Sequence, residues 1–234
     1  MSEEQRLTIS EVNGLPQNEV LDVFCDSESN VWLGTKFGLV RVRNLAFSHF
    51  GSTEELDIYP SSLFADSKGN LWAGNEAGGV LEFDGDQFVL AFEDPDINDH
   101  QISSIAEDDL GNLWFGTMDF GGLFQYDGKR FFIYSDEFGL ADNYINCLVA
   151  DEDGLLYIGT PNGLSTFDGA SFEVVYISDD FATNHITALE VMSDGSVLIG
   201  SKNGAVNRFV NGEVKAVESI STNSWITDFC EYSI

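Results

Sequence analysis

A glycine recurs through this 234-residue chain at an interval that governs every other reading of it. The segments NVWLGT, NLWAGN, NLWFGT, LLYIGT and SVLIGS each end in Gly and a small polar residue, and their glycines are Gly34, Gly74, Gly116, Gly159 and Gly200. Successive spacings are 40, 42, 43 and 41 residues. A period of that length marks an array of supersecondary units, each unable to bury its apolar face without a neighbour.

Each unit has the same internal order. An apolar run with polar interruptions comes first, as in NEVLDVFCD (18–26), HQISSIAED (100–108) and NYINCLVAD (143–151). A turn follows, DSKGN (66–70), DDLGN (108–112) or DEDG (151–154), in which Gly permits positive φ and Asp can bond the local backbone. The aromatic strand with its glycine comes next, then a short loop and a third strand, GLVRVR, GVLEF, GLFQY, GLSTF or GAVNRF. The pairs Asp84-Gly85, Asp127-Gly128, Asp168-Gly169 and Asn211-Gly212 then introduce a fourth strand, being strong hairpin signals. Four antiparallel strands in about 41 residues make one blade of a β-propeller. The expected fold is therefore all-β, with five full repeats at about 18–57, 58–99, 100–142, 143–183 and 184–223 in one propeller domain spanning 1–234. RLTISEVNGLPQN (6–18) aligns without a gap on FFIYSDEFGLADN (131–143), an outer strand and its exit loop, and WITDFCEYSI (225–234) matches a first strand. Residues 6–10 and 224–234 are thus expected to share a partial blade. A reduced last blade, a fragment of a larger ring, and completion by a second copy through an open blade edge all fit this pattern.

The unit "apolar run, Asp-x-x-Gly-Asn-Leu-Trp-x-Gly-Thr, then Gly-Leu" resembles the two-component regulator propeller repeat. ISSIAEDDLGNLWFGTMDFGGL (102–123) carries it most fully, and INCLVADEDGLLYIGTPNGL (145–164) carries it with Tyr157 where Trp is usual. The fifth unit departs most, with Met192 at the Asp position and Leu198 at the Trp position. The resemblance implies propellers, commonly seven-bladed, that serve as ligand-sensing input domains of bacterial membrane-bound regulators. It implies a scaffold more firmly than a signalling role, because no kinase or DNA-binding region accompanies the repeats.

Charge narrows the partners. Ten Lys and Arg against 40 Asp and Glu give a formal net charge of −30. Such a surface offers phosphate backbones and anionic headgroups neither Coulomb attraction nor counterion release, so nucleic acid and membrane surfaces are not expected partners. A small-molecule or protein ligand is. MSEEQRLTIS has neither the basic nor the apolar region of a signal peptide, and no apolar run approaches 18 residues. The chain as given reads as cytoplasmic, or periplasmic if it belongs to an exported sensor. Cys25, Cys147 and Cys230 are odd in number and widely spaced, which suits small buried hydrophobes better than a disulfide framework.

The fourth-to-first and second-to-third loops share one face of a propeller, and loops on a rigid scaffold are where function sits. EDPDINDH (93–100), SDEFGLADN (135–143) and SDDFATNH (178–185) fall there, carrying Glu93, Asp94, Asp96, Asp99, Asp136, Glu137, Asp142, Asp179 and Asp180. The second-to-third loops add Lys36, Phe37, Met118, Phe120 and Lys202. The candidate ligand-binding set is Phe37, Asp94, Asp96, His100, Phe120, Asp136, Glu137, Asp179, Asp180 and His185. His100 and His185 occupy near-equivalent positions on non-adjacent blades, so neither a shared metal nor a shared proton-transfer role is expected. Trp32, Trp72 and Trp114 recur with the blades and read as packing. Asn18, Asn143 and Asn184 recur before the first strand and read as turn caps. Asp151-Glu152-Asp153-Gly154 lacks the ligand pattern of a calcium loop and reads as a β-turn. No hydrolase elbow, zinc-protease, P-loop, dinucleotide or CxxC motif is present. The expectation is a non-catalytic ligand-binding or sensing propeller without cofactor or metal. A protein-interaction scaffold using the same acidic loops is the alternative, and a propeller lyase or hydrolase is a third reading by analogy only.

Overall fold

A computed structural model of the protein describes residues 14–16, 18–26, 28–43, 46–53, 56–221 and 224–229. Among them, twenty strands form five four-stranded antiparallel sheets, each a simple meander. The first blade is β1 (Val20–Cys25), β2 (Val31–Thr35), β3 (Gly38–Arg43) and β4 (Ala46–Phe50). The second is β5 (Pro60–Ala65), β6 (Leu71–Asn75), β7 (Val80–Phe83) and β8 (Phe88–Leu90). After a single helical turn, α1 (Pro95–Asn98), the third blade is β9 (Ile102–Glu107), β10 (Leu113–Thr117), β11 (Leu123–Tyr126) and β12 (Phe131–Tyr134). The fourth is β13 (Cys147–Ala150), β14 (Leu156–Thr160), β15 (Gly163–Phe167) and β16 (Phe172–Val175). A second short turn, α2 (Phe181–Asn184), leads to β17 (Ile186–Val191), β18 (Val197–Ser201), β19 (Ala205–Val210) and β20 (Glu213–Ser221). The all-β propeller expected from the repeat is the architecture observed.

The turn between the first two strands of a blade is organised by its leading aspartate. Asp66 accepts from the backbone N–H of Lys68 and Asn70, from Asn70 Nδ2 at 2.8 Å and from Trp72 Nε1 at 3.1 Å. Asp26 and Asp108 repeat this set with Asn30 and Trp32, and with Asn112 and Trp114. The tryptophan is therefore a hydrogen-bond donor as well as a packing residue. Tyr157 substitutes chemically, its hydroxyl donating to Asp151 at 3.1 Å. In the fifth blade donor and acceptor are lost together, as Leu198 and Met192. Asp194 and Ser196 hold that turn instead, with Arg208 donating to both.

The apolar core lies between neighbouring sheets rather than at one centre. Trp32 of the first blade meets Phe83 and Phe88 of the second, ring centroids 5.1 and 5.8 Å away. Trp114 of the third meets Phe167 of the fourth at 5.5 Å. Similar layers fill the remaining boundaries between these blades, and Leu15 packs on the first blade beside Leu33, Val40 and Val42.

The recurrent glycine belongs to the inner side of this stack. A Cβ on Gly74 would lie 3.0 Å from Ile102 Cγ2, on Gly116 2.6 Å from Ile145 Cγ2, on Gly159 2.7 Å from Ile186 Cγ2 and on Gly200 2.5 Å from Ile226 Cγ2. Each glycine thus receives a branched side chain from the start of, or just before, the inner segment of the next blade. At Gly34 the occupant is Pro60, and the gap is wider at 3.7 Å. Polar bonds run alongside. Ser61 Oγ donates to the Ile102 carbonyl, Asn146 Nδ2 to Ile186 O at 2.6 Å, and Thr187 Oγ1 to Ile226 O at 2.5 Å. Residues 224–229 therefore occupy the place of a sixth inner segment. Its expected pairing with residues 6–10 lies outside the described residues.

One expectation is corrected. Cys25 is exposed at the end of β1, where the strand's alternation turns it outward, and Cys147 is half-buried; Cys230 lies outside the described residues.

Gly116→Ala is expected to cost about 1–3 kcal/mol, the scale of overpacking a closely fitted core, whereas Gly34→Ala should be near neutral. Chemical denaturation of the two variants checks the contrast. A second outcome concerns pH. Burial alone would push the Asp66 carboxyl up, but the bonds from Asn70, Trp72 and Lys68 outweigh it and hold the carboxyl below its usual value. A lowered folded pKa contributes stability that is full above the unfolded value of 3.8 and is lost as pH falls through the folded one. Asp66→Ala should therefore destabilise by roughly 1–3 kcal/mol at neutral pH, and the gap from wild type should narrow in denaturation curves taken below pH 3.8.

Candidate binding face and central channel

The second-to-third loops differ in length, covering residues 36–37, 76–79, 118–122, 161–162 and 202–204. The third blade has the longest. Within it Phe120 takes a left-handed backbone, φ 68°, and its ring stands 69% exposed, 5.6 Å from Tyr144. A non-glycine residue held at positive φ with an apolar ring in water is an expensive arrangement for a mere connection. Its neighbour Asp119 grips the first strand's entrance, with Oδ1 2.9 Å from His100 Nδ1 and Oδ2 accepting from Gln101 N. Gly121 lets the His100 ring lie flat on the loop, since a Cβ there would come within 2.7 Å of it. Asp119 was not among the candidates from sequence; the two or three residues by which its loop exceeds most of the others were the available signal.

The other candidates divide by what their carboxylates already do. Asp94 caps α1 by accepting from Asp96 N. Asp136 exchanges two bonds with Asn143, accepting from its Nδ2 and donating its own N–H to Oδ1. Asp180 caps α2, accepting from Thr183 Oγ1 at 2.7 Å and from Thr183 N, with Asn203 Nδ2 at 3.3 Å. Those donors, Thr183 first, hold its carboxyl below the usual range. Asn184 Oδ1 accepts from Ile177 N and Ser178 N, so the asparagine before the strand does close the loop. Asp96, Glu137 and Asp179 face solvent, as does Phe37.

The two histidines have different surroundings and do not meet. His185 is half-buried, with Nδ1 lacking a hydrogen-bond partner among the described residues. Its ring sits 6.3 Å from Phe181 and 6.2 Å from Trp225, over which Lys202 Nζ lies at 4.5 Å. Burial, helped by the Lys202 charge and opposed by Asp142, pushes His185 down and keeps it neutral at pH 7. Among the described residues, no group of three or more His, Cys, Asp or Glu is placed to hold a metal ion.

Exposed aromatics are segregated. Among the described residues, the large exposed aromatic side chains are Phe37, Tyr59, Phe120, Phe138, Tyr176, Phe181 and Trp225. Every one belongs to a fourth-to-first or second-to-third connection, or directly precedes an inner segment, and so lies on this face. Below it the inner strands enclose a channel cavity of about 400 Å³ lined by residues of all five blades and by Thr227 and Asp228. Ser61, Ser62, Ser103, Ser104 and Asn146 make its wall polar. Burial pushes the Asp22 carboxyl up; bonds from Leu63 N at 2.6 Å and Val23 N pull it back, and Asp228 adds to the rise. Burial likewise takes the Cys147 thiol up to about 12.

Three segments, 14–37, 96–119 and 139–162, match the family model described as two component regulator propeller. Those three segments, in the first, third and fourth blades, are similar to two component regulator propeller repeats. No curated protein sequence matches it. Among solved structures it is similar to the extracellular domain of a protein of B. thetaiotaomicron assigned to the hybrid two component systems, with 23% identity over 92% of this chain and 31% of that one and a TM-score of 0.77. An extracellular domain from the same organism, described as part of a one component system, is 20% identical over 86% of this chain and 31% of that one, with a TM-score of 0.72. Virginiamycin B lyase from Staphylococcus aureus is 14% identical over 83% and 68% of the two chains, with a TM-score of 0.69. At these identities the likeness is one of fold. The chain spans about a third of the length of these two extracellular domains. No helix among the described residues is long and apolar enough to cross a membrane. The reading of a cytoplasmic chain gains no support from these relatives, two of which are extracellular domains.

The thiols give a direct check. A thiolate is the reactive form, so a thiol raised to about 12 resists alkylation at pH 8. Iodoacetamide under native conditions should modify Cys25 readily and Cys147 only after unfolding, as read by peptide mass spectrometry.

Proposed function

We propose that the chain is a non-catalytic sensing propeller that binds its ligand on the aromatic face and at the channel mouth. The observation that carries this is the confinement of exposed aromatic side chains to one face, beside the solvent-facing carboxylates Asp96, Glu137 and Asp179. Monomeric proteins seldom leave such apolar surface in water without a partner for it. Rings supply stacking area at low entropic cost, and nearby carboxylates and amides fix orientation through hydrogen bonds. Phe37, Phe120 and Phe181 are the stacking candidates. His100, held by Asp119, and His185 frame the channel mouth, while Asp94, Asp136 and Asp180 shape the loops that present the rings. The repeat family supports a sensor role, and the extracellular setting of two relatives supports a place outside the cytoplasm within a longer protein.

A protein-interaction scaffold is the second reading. Aromatic rings rimmed by charge also make the core of a protein interface, and a surface of −30 would steer a basic partner onto it. The two part experimentally. Thermal-shift screening against neutral and cationic small molecules and divalent cations should find a compound that raises the melting temperature. The double variant Phe120→Ala/Phe181→Ala should weaken that compound at least about tenfold, a loss of roughly 1.4 kcal/mol. Undiminished binding by the double variant would move the site off this face. A screen without a stabilising compound, together with saturable binding of a basic protein that the same double variant loses, would favour the scaffold.

A further inference from the structure

On the opposite face, a cavity of about 480 Å³ opens between the first and second blades. The β1–β2 turn, the end of β3 and the turns of the second blade form its walls. Two independent observations there call for a ligand. The first is Asn30, whose side chain is 3% exposed. Its Nδ2 donates to Asp26 Oδ2 at 2.7 Å, which fixes the amide's orientation, and its Oδ1 is buried without a hydrogen-bond partner among the described residues. The matching Asn70 is exposed and Asn112 half-buried, so the repeat does not demand this burial. A buried acceptor left unpaired is costly, and a donor from a bound molecule would remove that cost.

The second observation is Arg41. Its guanidinium lies over the rings of Trp32, Phe50 and Phe83 at 5.5, 5.6 and 5.7 Å. Among the described residues no carboxylate stands within ion-pair reach of it. The nearby acids are engaged elsewhere: Asp26 by Glu28 N, Asn30 and Trp32, Asp84 by the N–H groups of Asp86 and Gln87, and Glu28 by Arg43 at 3.8 Å. At the same position the second, third and fourth blades carry Glu82, Gln125 and Thr166, and the fifth carries Arg208, which Asp194 and Ser196 engage, so it is the cation without an acidic partner among the described residues that departs from the repeat. A guanidinium is always charged and presents a planar fork of donors matched to a carboxylate.

We infer that this cavity binds a small hydroxy-carboxylate, its carboxylate on Arg41 and its hydroxyl donating to Asn30 Oδ1. Trp32, Leu71 and Phe83 form an apolar wall for the hydrocarbon part. Titration of ¹⁵N-labelled chain with lactate, following the Trp32 indole N–H, should give a saturable shift. Propionate, which lacks the hydroxyl donor, should bind at least fivefold more weakly, and Arg41→Gln should weaken lactate at least tenfold while the spectrum stays dispersed. If that variant does not fold, Arg41→Lys keeps the cation and loses the fork, and should weaken lactate at least threefold. Lactate and propionate binding alike, a shift that never saturates, or lactate affinity unchanged in the folded Arg41 variant would each overturn the assignment. Phe120→Ala/Phe181→Ala should leave lactate binding intact, which separates this site from the aromatic face.

Discussion

The structure depends on a contact in which one partner has no side chain. Gly74, Gly116, Gly159 and Gly200 each leave a socket, and Ile102, Ile145, Ile186 and Ile226 fill it from the next blade. The distances leave little room even for a methyl group, so the inner strands are drawn together where the blades converge on the axis. Dispersion falls steeply with separation, and a small gap there would be repeated from blade to blade. The polar bonds from Ser61, Asn146 and Thr187 to the same isoleucine carbonyls fix register as well as distance.

At the outer end of the same strands a different device keeps the turn in shape. Aspartate, asparagine and tryptophan form one hydrogen-bonded unit in the first three blades, and tyrosine takes the donor's place in the fourth. The fifth blade abandons acceptor and donor together, which is what a shared bond requires, since either alone would leave a partly buried polar group without its partner. Arg208, Asp194 and Ser196 then supply an unrelated set of bonds to the same turn.

These two devices hold the scaffold, and the residues that break its pattern gather on its two faces. One face gathers exposed rings and a strained Phe120. The other holds a buried, unpaired Asn30 carbonyl beside an Arg41 with no acidic partner among the described residues.

The amino-acid sequence alone carried the blade, its four strands, its turns and the number of full repeats, because these follow from local periodicity and from turn residues whose φ preferences act over two to five positions. It also placed the acidic loops on one face. What it could not carry were the side-chain partnerships that no local preference specifies, some within one unit and some a full repeat apart. That Trp72 donates to Asp66 was hidden because packing alone accounts for a recurrent tryptophan. That His100 pairs with Asp119, that Asp94 and Asp180 are caps, and that Cys25 faces water were decided by how loops and strand faces come together in three dimensions. The recurring glycine shows the division most clearly: its spacing was legible in one dimension, but the side chain it makes room for belongs to the next blade, and only packing brings the two together.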